Sequence, residues 1–246
     1  MRPEQPNMIF GSHAVIEAIR SGKEIERLFL KKELSGEVLR ELLKAARDLD
    51  IPYQFVPNEK LDRITKKNHQ GVIAYISEVE YQKIEQLLPM LYEQGVEPFI
   101  LVLDHVTDVR NFGSIARTAE CAGVHAIVIP DKGAAQINSD AVKTSSGALH
   151  TIPVCRVSDL SGAIKFLTDS GLQIFAATEK GSELYNEVDY KGPVAIVMGA
   201  EDIGVSYDII RKSSHNVKIP LFGKVQSLNV AVATGLILYE VVKARK

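Results

Sequence analysis

Asn111, Arg117, Glu201, Ser227 and Asn229 fall in three stretches of one kind: a continuous apolar strand, a loop of small and polar residues, then a helix start. The stretches run from Leu103 to Gly123, from Ile196 to Ser206 and from Ile219 to Gly235. Backbone N–H groups left unpaired where a helix begins can hold a polar or anionic ligand. In an α/β domain such loops gather at the carboxyl end of the sheet, where ligands bind. Three of them together point to one composite site. Asn111 and Asn229 carry neutral amides that donate and accept at once. Two plainer readings stand beside this. Ser227 sits where the final helix starts and serves there as an N-cap. Arg117 lies three residues before Glu120, a helical ion pair worth about 0.2–0.5 kcal/mol.

The elements that position these residues alternate. From Ile84 onward the pattern predicts a helix to about Gln94, strand 99–103, helix 112–122 and strand 125–129. It continues with strand 152–156, helix 159–169, strands 172–177 and 194–198, helix 206–213, strand 215–219 and an apolar helix from Leu228 to Lys243. This alternation makes a parallel sheet with helices on both faces. Residues 131–150, rich in Gly, Ala, Ser and Lys, read as a long loop with one helical turn, whose Lys132, Lys143 and His150 are either solvated or meet RNA.

Residues 1–80 form a separate, smaller α/β unit. Ser12 is placed to cap a first helix that Gly22 stops, and Ile25 to Leu30 alternates as a strand. Helix 36–49, strand 53–56, a short helix capped by Asn58 and strand 72–76 follow. The polar loop from Thr65 to Gly71 holds Lys66, Lys67 and His69. It is either a solvated connection or an edge that contacts phosphate. Ser77 to Lys83 reads as the linker, so the division is 1–80 and 84–246.

Composition excludes several classes. Residues 1–7 have no apolar core of a secretory signal, and no apolar run approaches the roughly 20 residues of a membrane span. Cytoplasmic placement is expected. Cys121 and Cys155 are too few for a disulfide framework or a zinc site, and Cys121 reads as core filler in an alanine-rich helix. No ligand cluster for a metal is visible, so none is expected. The net charge is −2, and residues 1–80 hold 13 Lys/Arg against 13 Asp/Glu. Any nucleic-acid binding therefore comes from local patches. No Gly-x-Gly-x-x-Gly or Gly-x-x-x-x-Gly-Lys-Ser/Thr cradle occurs, which removes dinucleotide and nucleoside-triphosphate readings.

The three stretches resemble the three motifs of the SpoU/TrmH ribose 2′-O-methyltransferases, within the SPOUT class. They match as Asp104…Asn111-x-Gly113-x-Ile115-x-Arg117-Thr118-Ala119, then Met198-Gly-x-Glu201-x-x-Gly204, then Ile219-Pro…Gly223…Ser227-Leu-Asn229-Val. Asp202 stands where the family often has glycine. The resemblance covers nearly the whole chain. It implies a SPOUT domain with a C-terminal trefoil knot, preceded by a small RNA-binding domain, and a homodimer.

The resemblance also implies S-adenosylmethionine as cofactor, held against the backbone of Gly199, Ile219 and Leu228. Gly199 would let a ligand approach closely. The reaction is an in-line displacement at a sulfonium carbon by a ribose 2′-hydroxyl, which needs positioning and loss of a proton. Arg117 either receives that proton or steers the hydroxyl, although a free guanidinium has a pKa above about 12. Asn111 and Asn229 would fix the ribose or buttress Arg117, Glu201 would hold a loop by accepting N–H bonds, and Ser227 would bind phosphate or ribose. Lys66, Lys67 and His69 would face RNA. Among relatives the layout is most similar to bacterial enzymes that methylate a guanosine of large-subunit (23S) ribosomal RNA. The alternatives are a tRNA ribose methyltransferase and a non-catalytic RNA-binding ribosome-assembly factor.

Overall fold

The computed structural model describes residues 7–49 and 51–245. Residues 1–6, which belong to the stretch read as lacking a secretory signal, lie outside the described residues. The chain divides into two compact units, Met1–Glu80 and Tyr81–Lys246.

The first unit contains β1 (Met8–Phe10), α1 (Ser12–Arg20), β2 (Ile25–Lys31), α2 (Glu37–Asp48), β3 (Tyr53–Val56), α3 (Asn58–Ile64) and β4 (Val72–Ile76). Its sheet runs β1-β4-β2-β3, with β4 antiparallel to both neighbours and β3 parallel to β2. The period of two along each strand divides the side chains between two faces. Leu28, Leu30, Val72 and Ala74 pack with Val15 and Ile19 of α1 and Leu42 of α2. Phe29 and Ile73 pack on the opposite face with Val56 and with Leu61 of α3. Two caps differ from the sequence reading. Gly11, at φ 90°, caps α1, and Ser12 instead donates its hydroxyl to Gln70 Oε1 at 2.9 Å. Pro57 precedes α3, and Asn58 donates to Asp62 one turn on.

The second unit contains β5 (Tyr81–Gln82), α4 (Ile84–Glu93), β6 (Phe99–Asp104), α5 (Val109–Cys121), β7 (Ala126–Pro130), α6 (Ser139–Thr144) and β8 (Val154–Val157). It continues with α7 (Leu160–Asp169), β9 (Gln173–Ala177), β10 (Glu183–Leu184), β11 (Val194–Gly199), α8 (Tyr207–Lys212), β12 (His215–Lys218) and α9 (Val230–Ala244). The sheet order is β10-β12-β9-β11-β6-β7-β8-β5, and every pairing is parallel. β6 is buried along its whole length and β11 from Val194 to Met198, which is why both read as unbroken apolar runs. Their register places Gly199 beside Asp104. The first two motif loops therefore leave the sheet from adjacent strands, at the carboxyl edge.

Three expectations change. Tyr81 and Gln82, read as linker, form an edge strand beside β8. Segment 131–150 carries more structure than a loop with one helical turn: α6 is followed by a 3-10 turn (Ala148–His150), and Ala135, Ile137, Ala141 and Ser145 are buried. Gly113 permits this, since a Cβ there would lie 2.8 Å from Ala141 O and 2.7 Å from Thr144 Cβ. Lys132, Lys143 and His150 themselves are exposed. Cys121 is exposed and is not core filler; Ile115, Ala116 and Ala119 occupy the buried side of α5. β10 is too short to show a period.

The last helix is held at its far end by Arg245. Its guanidinium donates to Glu97 O at 3.2 Å, Pro98 O at 2.9 Å and Gly192 O at 2.7 Å, and lies 4.9 Å from the Phe99 ring centroid.

The two cysteines give a direct check of this packing. Burial pushes the Cys155 thiol from its ordinary value near 9.0 up to about 12, so it stays neutral at pH 8. Ellman's reagent should titrate one thiol, Cys121, in the native protein and the second only after denaturation. The unfolded chain ionises this thiol first, so its contribution to stability is complete below pH 9.0 and is lost as pH rises towards about 12. Equal reaction of both thiols in the native state would contradict the buried placement.

Candidate active site

The carboxyl edge of the sheet is organised by acidic side chains that collect backbone N–H groups. Asp104, at the end of β6, is 2% exposed; its Oδ2 accepts from Ser206 N at 2.7 Å. That bond ties the first motif to the segment that follows the second. Its Oδ1 lies 2.7 Å from His105 Nδ1, and His105 adopts φ 59°. Asp108 then caps α5 by accepting from Asn111 N at 2.7 Å. The helix starts earlier than its apolar period suggests, and Asn111 sits in its first turn.

Glu201 joins the three motifs. Its Oε1 accepts from Asn229 Nδ2 at 2.8 Å, from Val230 N at 3.0 Å and from Asn111 Nδ2 at 3.3 Å. Asn229 also donates to Asn111 Oδ1 at 3.0 Å. Its own Oδ1 accepts from Ala231 N at 3.0 Å and Val232 N at 3.4 Å, which makes Asn229 the N-cap of α9. Only this amide orientation serves all these partners, since Nδ2 has no acceptor lone pair. A carboxylate beside the first N–H of a helix is favoured by the helix dipole. The cap assigned to Ser227 thus belongs to Asn229, two residues on, and Ser227 stays exposed.

Beside this junction lies a cleft of about 870 Å³. Met198, Gly199, Ile219, Ser227 and Leu228 line it, so the three positions proposed for a cofactor come together. Apolar walls from Val205, Ile210 and Val230, with Thr178, Glu179, Lys180 and Glu201 at polar points, fit a nucleoside-sized ligand. Gly199 has a different reason from ligand approach. A Cβ there would meet Gly204 C at 2.1 Å and Val205 N at 2.2 Å, so glycine is demanded by the loop folding back on itself. That turn is closed by Gly204 N donating to Ala200 O at 2.8 Å, with Gly204 at φ 73°. Asp202, at its tip, is exposed and takes no positive φ among the described residues.

Arg117 is exposed on α5, outside the Glu201 junction. Among the described residues it makes no hydrogen bond or ion pair, so the pairing with Glu120 is not formed. In the first unit Lys66 and Lys67 are exposed. His69 does not join them. It is 7% exposed, its Nδ1 accepts from Gly71 N at 3.0 Å and its Nε2 lies 3.1 Å from Asp62 Oδ1. With Nδ1 accepting, Nε2 carries the proton towards Asp62, and the ring anchors the loop from inside. Sequence reading missed Asp108, whose position three residues before Asn111 marks a cap, and the Thr178 to Ser182 loop, whose place after a strand was the available signal.

Comparison with known proteins follows the same boundaries. The SpoU rRNA Methylase family matches residues 98–239, and the RNA 2′-O ribose methyltransferase substrate binding family matches residues 8–82. A protein of Bacillus subtilis (strain 168) named for the TrmH family of tRNA/rRNA methyltransferases is 34% identical over 242 residues, 98% of this chain and 97% of the relative. The AdoMet-bound rRNA methyltransferase from Sinorhizobium meliloti superposes with a TM-score of 0.62 at 27% identity, over 96% of this chain and 87% of its own. The A. aeolicus TrmH/SpoU tRNA modifying enzyme gives 0.56 at 31% identity, over 65% of this chain and 83% of its own.

The cap assignment separates two neighbouring side chains. Asn229→Ala should lower stability to urea by about 1 kcal/mol, the usual cost of removing an N-cap. Ser227→Ala should stay within about 0.5 kcal/mol of the parent. Equal losses for the two variants would place the cap wrongly.

Proposed function

This chain belongs to the SpoU rRNA methylase family, and from that premise we propose that it methylates the ribose 2′-hydroxyl of a guanosine in large-subunit ribosomal RNA. The observation that carries the reading is the Glu201 junction, where side chains from three motif loops meet beside a nucleoside-sized cleft. S-adenosylmethionine supplies an activated methyl group when bound there, and Gly199, Ile219 and Leu228 line its place. The ribosomal target is favoured by coverage: the rRNA enzyme aligns over 96% of the chain and the tRNA enzyme over 65%. Residues 1–80 contribute RNA selectivity, with Lys66 and Lys67 exposed to phosphate, and residues 84–246 carry the transfer.

Each side chain then has a physical task. Glu201 and Asn229 fix the Asn111 amide, so Asn111 presents its remaining N–H to the ribose, while Asn229, whose donors and acceptors are all engaged, buttresses it. The exposed Ser227 hydroxyl contacts phosphate or sugar. Arg117 holds the hydroxyl and its neighbouring phosphate in a planar fork. Positioning of this kind is the main requirement when the leaving group is already activated.

We also place the protein in the cytoplasm as a homodimer. Val232, Leu236 and Tyr239 make an exposed apolar stripe on α9, at 54%, 40% and 51% exposure. A stripe at this spacing fits a subunit contact. Sedimentation at micromolar concentration should give twice the chain mass, and a monomer would refute the pairing.

Arg117 offers the sharpest test of the chemistry. Arg117→Ala should leave AdoMet affinity by calorimetry near that of the parent while single-turnover transfer falls at least ~100-fold. Arg117→Lys should not restore it, because an ammonium lacks the fork. Normal transfer by the Lys variant would remove Arg117 from the mechanism. Mapping 2′-O-methyl groups in large-subunit RNA from cells with and without the protein should reveal one lost guanosine modification; a loss confined to tRNA would overturn the target.

A further inference from the structure

The loop between β12 and α9 turns apolar side chains outward beside the cleft. Residues 221–227 are all exposed, Phe222 at 95% and Val225 at 75%. Leu221 lines the cleft and Phe222 does not, so a cofactor lying in the cleft is not what covers the ring. Among the described residues, Phe222 has no ring contact and Lys224 no ion pair. Gly223 between them has open space around it. One short loop thus displays an aromatic face, a cation and the Ser227 hydroxyl, and it runs directly into Asn229 of the polar junction.

We infer that Phe222 is the stacking surface for the base of the target nucleotide, with Lys224 on the adjoining phosphate. The inference rests on the RNA methyl transfer proposed above. A nucleotide drawn to a cleft loses the stacking of its neighbours, and an aromatic side chain replaces it. A positive charge two residues from an exposed ring matches the chemistry of a nucleotide, which pairs a flat π-system with an anion. A purely apolar protein partner would have no use for the cation at the same spot. The base, ribose and phosphate of one nucleotide then meet Phe222, Asn111 and Lys224 in turn.

The chain contains no tryptophan, so Phe222→Trp places a lone reporter in the loop. Its emission should be quenched by an in vitro transcript of large-subunit ribosomal RNA and not by heparin, a polyanion without bases. Phe222→Leu keeps an apolar side chain without a π face; it and Phe222→Ala should raise KM for the transcript roughly 10- to 100-fold, with AdoMet affinity held. Phe222→Trp should lose far less. A response to AdoMet alone would make the loop a lid over the cofactor. A response to dilution would make it a contact between copies of the chain. Either result, an equal response to heparin, no response to RNA, or a Leu variant equal to the parent would overturn the stacking role. If the parent methylates no RNA at all, the proposed function itself fails, whereas methylation by the parent with an indifferent Phe222 fails this inference alone.

Discussion

A carboxylate oxygen that accepts three N–H groups from two other motifs is the constraint on which the site depends. Glu201 Oε1 takes Asn111 Nδ2, Asn229 Nδ2 and the backbone N–H of Val230. These residues are far apart in the sequence, and two features bring them together. The parallel register sets Asp104 beside Gly199, and the first N–H of α9 is bound by Glu201. Glu201 is exposed, so its charge is screened and each bond adds a modest amount, near 0.5–1.5 kcal/mol for an ordinary one. The buried strands supply the stability. The junction supplies position.

α9 is fixed at both ends, which matters because its first turns wall the cleft. Asn229 and Glu201 satisfy its opening N–H groups, while Arg245 clasps three carbonyls at the opposite edge of the sheet. Val230 and Ala233 therefore face the cleft from a helix tied at both ends. The loop leading into α9 lacks such ties: its seven residues 221–227 are exposed. A tied wall beside an exposed polar and aromatic rim is a sensible division for an enzyme whose second substrate is RNA.

The long apolar elements were legible in the sequence because burial on both faces writes itself as continuous or periodic hydrophobicity. β6, β11 and α9 fall within two residues of where their patterns place them. Elements held by pairing alone were not: β5 and β10, two residues each, have no period to read. Caps were read on the wrong residue, too early at Ser227 and one residue too late at Ser12 and Asn58, since a polar side chain near a helix start does not by itself say where the helix begins. Asn229 over Ser227 is one case, and Gly11 over Ser12 another. Composition misled at Cys121, which shares an alanine-rich helix with the core but faces outward. His69 shows the opposite error, a polar loop residue that turned inward to accept Gly71 N. For Gly199 the residue was singled out and its reason was not; the close approach is made by the chain itself at Gly204.

We propose that Glu201 organises the site and does not take the proton. Glu201→Gln retains an oxygen that can accept the same N–H groups, whereas Glu201→Ala removes it. Calorimetric AdoMet affinity, measured beside single-turnover methyl transfer to RNA, separates the two roles. If the carboxylate is a junction, the Gln variant keeps transfer within about tenfold of the parent, and the Ala variant loses cofactor affinity and transfer together. If both variants bind AdoMet as the parent does and both are inactive in transfer, the carboxylate acts on the proton and the account is wrong.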